Sequence, residues 1–258
     1  MATTPRSRAG RAIDYPTGDG KPMAETDVHR DLMLDLIGTL QVRLADDPMA
    51  YVSGNLLLFY EEGNRRKHVS PDVFVVLGVE KKRREHYLTW LEGRGPDLVI
   101  ELTSKSTKSE DIHKKMDIYR DVLRVPEYFL FDPFEDYLRP SMQGYRLAGG
   151  RYEPIAWVDG RLPSAVLGLH LERDGIALRL RDPATGRRLP TLGERADRAE
   201  AERHRAEAER HRAEAERHRA EAERLRAEAE RLRAEQAEAE VARLLRELEG
   251  LRRGPGPG

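Results

Sequence analysis

The chain has 258 residues, 35% of them charged and 6% aromatic, with 45 lysines and arginines against 46 aspartates and glutamates. The balance is even in both parts, 16 against 17 in residues 194–253 and 29 against 29 elsewhere. It excludes a globally basic nucleic-acid-binding body, so any such contact must come from a local patch. The absence of cysteine excludes disulfides and thiolate metal sites. No run approaches the roughly 18 apolar residues of a membrane span, and the first residues hold no apolar leader core; the expectation is a cytoplasmic protein with no membrane partner.

Residues 1–24, rich in Gly, Pro, Arg and Thr without periodicity, read as an unstructured arm. A globular body is expected over 25–193. It opens with an amphipathic helix between Thr26 and Asp46, because Leu32, Met33, Leu36, Ile37, Leu40 and Leu44 recur at helical spacing behind a capping Thr26 or Asp27. Three strand-like runs follow, YVSGNLLLFYEE, HVSPDVFVVLGV and PDLVIELTS. A helix of about 16 residues is then expected from Ser109 to Arg124, closed by Val125-Pro126. The run EYFLFD is the next strand, and GYRLAGGRYEPIAW reads as a hairpin turning at Gly149-Gly150. This order predicts an α/β fold, a mixed β-sheet flanked by helices.

Residues 194–253 are a different kind of sequence, and 254–258 are expected to be a flexible end. Five heptads, AERHRAE at 201, 208 and 215 and AERLRAE at 222 and 229, put Ala at position a and His or Leu at position d. Near Gln236 the register slips and restarts through Ala237, Val241, Leu244, Leu248 and Leu251. The spacing favours a self-associating coiled coil of about 80 Å; a solitary helix held by Glu/Arg pairs is the competing reading.

One carboxylate stands out. Glu101 sits inside the apolar run LVIEL, where strand alternation puts Leu98, Ile100 and Leu102 on one face and Val99, Glu101 and Thr103 on the other. It is therefore expected on the polar side of a core strand. Asp97 lies about 13 Å away along the same strand and cannot share an ion with it. Asp72, opening the preceding strand at a spacing of about 4.8 Å, can do so, although Asp after Pro71 is equally suited to a turn. Two such carboxylates make an oxygen-rich site for Mg2+ or Mn2+. On the following helix Lys115 leans toward the sheet while Lys114 faces solvent; a lysine lying along a helix edge would show the same pattern. Carboxylates, a divalent ion and a lysine together are the parts of phosphodiester hydrolysis.

The segments SPDVFVV, PDLVIELTSKSTKSEDIHKKMDIY, VPEYFLFDP and GYRLAGGRYEPI, occurring in this order, resemble the Uma-two family of bacterial endonuclease-like proteins, from about Pro22 to Leu192. The resemblance implies a restriction-endonuclease-like PD-(D/E)XK core with Asp72 as the motif aspartate, Glu101 as the motif glutamate and DNA as substrate. The chain departs from the motif at Thr103, where lysine belongs, and the family pattern places a lysine on the following helix, here Lys115. Glu25 and His29, on the same helix face as Leu32 and Leu36, are candidates for an auxiliary ligand. The leading expectation is a Mg2+-dependent DNA endonuclease. The alternatives are a catalytically silent body that scaffolds through its tail, and an enzyme acting on RNA or another phosphodiester.

Overall fold

The computed structural model describes residues 15–18, 26–103 and 110–252. The expectations for Glu25, the Ser/Thr run 104–109 and the end 254–258 lie outside them. The chain divides into two units, Met1–Arg195 and Ala196–Gly258. Among the described residues no helix is long and apolar enough to cross a membrane.

Helix α1 (Asp27–Arg43) starts where the sequence indicates, with the Thr26 hydroxyl accepting from His29 N at 3.1 Å. Its apolar stripe, Leu32, Met33, Leu36 and Leu40, packs on one face of a six-stranded sheet. The strands of that sheet lie in the order β1 (Ala50–Ser53), β4 (Val73–Leu77), β6 (Leu98–Leu102), β7 (Glu127–Phe131), β8 (Met142–Ala148) and β9 (Arg151–Pro154). Only β6 and β7 pair in parallel, the others being antiparallel. The hairpin forms as its glycines require: Ala148 pairs with Arg151 and both Gly149 and Gly150 have positive φ.

Two of the expected strands break in two. YVSGNLLLFYEE supplies β1 and then β2 (Leu58–Phe59), and HVSPDVFVVLGV supplies β3 (His68–Val69) and then β4. β2 and β3 belong to a small separate sheet with β5 (Tyr87–Leu88), which leads into the short helix α2 (Thr89–Glu92). Asn55, with φ at 47°, turns the first run, and its N–H donates to the Pro71 carbonyl at 2.8 Å, tying the two breaks together. A third sheet of β10 (Leu162–Ser164), β11 (Leu169–Asp174), β12 (Ala177–Asp182) and β13 (Arg187–Arg188) adds leucines to the core under α1.

The connection from β6 to β7 is helical but not an ordinary α-helix. It winds in π turns over Glu110–Lys115 and Ile118–Val122, and Leu123 N donates to the Ile118 carbonyl five residues back. Its apolar side, with Ile112, Met116 and Tyr119, covers the second face of the sheet together with Tyr51, Phe74, Val76, Val99 and Tyr128. The central sheet thus has two apolar faces, which corrects the expectation of a polar side for β6. The arm of residues 1–24 also departs from expectation at Tyr15, 4% exposed and packed against Phe59 and Trp90. Helix α3 (Leu192–Arg252) begins in the last residues of the first unit and carries the heptads in the second, with every residue from Ala196 to Glu249 exposed.

Candidate active site

The antiparallel ladder of β4 and β6 ends with Val73 opposite Ile100. One step further, Asp72 comes opposite Glu101. Backbone bonds hold the step in place: Leu102 N–H donates to Asp72 Oδ2 at 2.8 Å, and Asp72 N–H reaches Glu101 Oε2 at 3.4 Å.

Glu101 is fully buried. It shares a face with Val99, as alternation requires, but that face is the apolar layer beneath the π-wound helix. A buried carboxylate needs partners, and the helix supplies two. Lys115 Nζ donates to Oε2 at 2.9 Å and the Tyr119 hydroxyl donates to Oε1 at 2.7 Å. These residues are four apart, close to one full turn of an i→i+5 helix, so both side chains descend on the same spot. Lys115 also reaches the Ser70 carbonyl at 3.5 Å and is 13% exposed, while Lys114 faces solvent as its position on the helix suggests.

Asp72 has its own supports. His29 Nε2, from the first turn of α1, lies 3.2 Å from Oδ2. Burial would push the Asp72 carboxyl up, but the His29 hydrogen bond, the nearby Lys115 charge and the Leu102 N–H outweigh it and hold it below its ordinary value. It stays ionised at neutral pH. Behind it Gly54 is required by space alone, since a Cβ there would stand 2.0 Å from the Asp72 carbonyl oxygen.

The structure therefore brings Asp72, Glu101 and Lys115 together and adds His29 and Tyr119. Sequence reasoning gave His29 a minor place and missed Tyr119 and Gly54, although Tyr119 four residues after Lys115 was a readable signal for a shared helix face. Asp97 stays apart, with Oδ2 accepting from Leu77 N at 2.7 Å and Oδ1 from Arg94 at 2.7 Å. Thr103 is turned into structure, its N–H donating to the Phe131 carbonyl at 2.8 Å and its hydroxyl lying 3.3 Å from the same oxygen. Among the described residues no group of three or more His, Cys, Asp or Glu is arranged to hold a metal ion. The oxygen donors present are the two carboxylates.

A family model described as "Putative restriction endonuclease" (Uma2) matches residues 4–178, most of the chain. The chain belongs to the Uma2 family. A solved structure titled as a putative nuclease of DUF820 from Anabaena variabilis is similar at 18% identity with a TM-score of 0.43, over 63% of this chain and 83% of that one. No curated protein matches. Uma2 membership supports a nuclease body of restriction-endonuclease-like type.

Proposed function

We propose that the body is a cytoplasmic Mg2+- or Mn2+-dependent DNA endonuclease in which Asp72 and Glu101 hold the ion and Lys115 is the third catalytic residue. The observation that carries this reading is the 2.9 Å contact between Lys115 Nζ and Glu101 Oε2. A cation from the helix meets the strand carboxylate where Thr103 offers none.

The donor set fits the ion. Mg2+ is commonly held by one or two carboxylates and keeps several waters, and Asp72 and Glu101, set opposite each other, supply that number. When bound, the ion polarises the phosphate and activates water. Lys115 offsets charge developing on the phosphoryl oxygens. Tyr119 fixes the orientation of Glu101, while His29 and the Leu102 N–H fix that of Asp72, so both carboxylates are oriented in advance.

The test is cleavage of supercoiled plasmid by wild type and Glu101→Gln with Mg2+, Mn2+ or EDTA. Gln keeps the shape of a side chain whose outright truncation would leave Lys115 without its partner. The expected result is metal-dependent nicking by wild type alone; equal nicking by the variant overturns the assignment. A second reading, a silent nuclease-like body scaffolding through its tail, is favoured by the burial of Thr103 at the motif position. Calorimetric titration separates the two, because the endonuclease takes up Mn2+ and the silent body does not. Running an RNA substrate alongside covers the remaining phosphodiester reading.

A further inference from the structure

Helix α3 presents its seam of Ala at a and His or Leu at d to solvent with no cover among the described residues: Leu225 and Leu232 are 60% and 56% exposed. We propose that residues 201–235 pair with the same segment of a second copy as a parallel, in-register, two-stranded coil. This does not depend on the cleavage reading.

The charges flanking the seam decide direction. With Ala201 at a, each e position is Arg, from Arg205 to Arg233, and each g position is Glu, from Glu207 to Glu235, in all five heptads. In a parallel pair each g residue faces the e residue five later on the other strand. Glu207 then meets the partner's Arg212, and Glu221 meets the partner's Arg226. Reversing one strand sets e against e and g against g, so Arg faces Arg and Glu faces Glu along the whole length. Opposite charges and like charges differ in sign at every heptad, and apolar contacts do not compensate, because reversing one strand sets the d leucines against a-position alanines instead of against each other.

Register and extent follow from the departures from repetition. Identical heptads permit slips of seven residues, but a slip sets Leu225 against the partner's His218 and leaves one Leu without a leucine partner. In register, Leu225 and Leu232 each meet their own kind. After Gln236 the apolar stripe resumes at Val241, nine residues beyond Leu232. At about 100° per residue that is roughly half a turn round the helix, so the coil ends near residue 235. Ala at every a position keeps the seam narrow, which two helices close without a void and a larger bundle does not. Chain connectivity then delivers two bodies to the same end of the coil.

The experiment uses the full-length protein, whose lack of cysteine makes single introduced thiols unambiguous. Ala201→Cys and Ala229→Cys, both at exposed helix positions, are purified separately and mixed at tens of micromolar, with sedimentation run in parallel. The expected result is a dimer in which each variant cross-links with itself under mild oxidation. Changing Glu207, Glu214, Glu221 and Glu228 together to Arg should weaken the dimer at least tenfold. A monomer at this concentration, or cross-linking only in the mixture, overturns the proposal; the latter would mean antiparallel pairing. Cross-linking of Ala201→Cys with Ala208→Cys as efficient as with itself would overturn the register.

Discussion

Glu101 and Glu127 are buried carboxylates on neighbouring strands of the parallel pair β6–β7, 0% and 1% exposed, and they are held by different kinds of donor. Glu127 begins β7 and is bound by Ser164 Oγ at 2.5 Å, Ala165 N at 2.9 Å, Val166 N at 3.3 Å and Arg146 at 2.7 Å. Backbone amides of the loop after β10 make it a joint between two sheets. Glu101 stands near the carboxyl end of β6, where open α/β sheets place their ligands, and its two shortest contacts come from the side chains of Lys115 and Tyr119 on the π-wound helix, with the Asp72 N–H further off at 3.4 Å. Burial of a carboxylate therefore does not identify a site; what sets Glu101 apart is a second carboxylate, Asp72, opposite it and a lysine donating to it.

The largest expected effect tests that contrast directly. Glu101→Gln should lower metal-dependent cleavage per folded molecule by about a thousandfold, and because it removes the anion beside Lys115, 13% exposed, it should also lower the thermal midpoint. The companion change Glu127→Ala should leave cleavage per folded molecule unchanged and destabilise the body by about 3 kcal/mol, because it leaves the Ser164 hydroxyl and the Ala165 and Val166 amides without their acceptor; denaturant unfolding measures it. If the two variants exchange phenotypes, the contrast is wrong.

Gly54→Ala sharpens the geometry. Its Cβ would meet the Asp72 carbonyl oxygen at 2.0 Å, so the strand must shift, at a cost of about 2 kcal/mol, and Asp72 moves away from Glu101. Cleavage should fall more than unfolding alone explains. Tyr119→Phe removes one donor to Glu101 while keeping the ring in its apolar layer; we expect about a tenfold loss of cleavage and weaker Mn2+ uptake by calorimetry.

The smallest effect concerns a third carboxylate, held by arginines alone. Glu172 accepts from Arg161, Arg181 and Arg188. Burial alone would raise its pKa, but hydrogen bonds from Arg181 and Arg188 outweigh that and depress it from 4.5 to about 2. A depressed carboxylate contributes stability in full above its unfolded value and loses it as pH falls through the folded one. The gap in thermal midpoint between wild type and Glu172→Gln should thus be constant above pH 4.5 and close between pH 4.5 and about 2. It should stay small, below about 1 kcal/mol, because the arginines are partly exposed. A gap that widens on acidification would contradict the assignment.

Much of this molecule is local in origin. The Thr26 cap, the α1 stripe, the Gly149-Gly150 hairpin, the side on which Glu101 stands and the heptads of α3 follow from spacing and turn chemistry acting over a few residues, and so were legible in the chain alone. Three things were not. YVSGNLLLFYEE and HVSPDVFVVLGV each divide between two sheets because Asn55 and Pro71 bond to each other across the fold, a contact no local pattern announces. The π winding after β6 has no signature in apolar periodicity, although the four-residue spacing of Lys115 and Tyr119 already put them on one helix face. The face carrying Glu101 is apolar only because another element covers it. The sequence by itself determined which residue types stand at which strand and helix positions, since alternation and helical period depend on neighbours along the chain. Only the tertiary structure decided that Asp72, His29, Lys115 and Tyr119 converge on one place, since strand register and packing join residues distant in sequence.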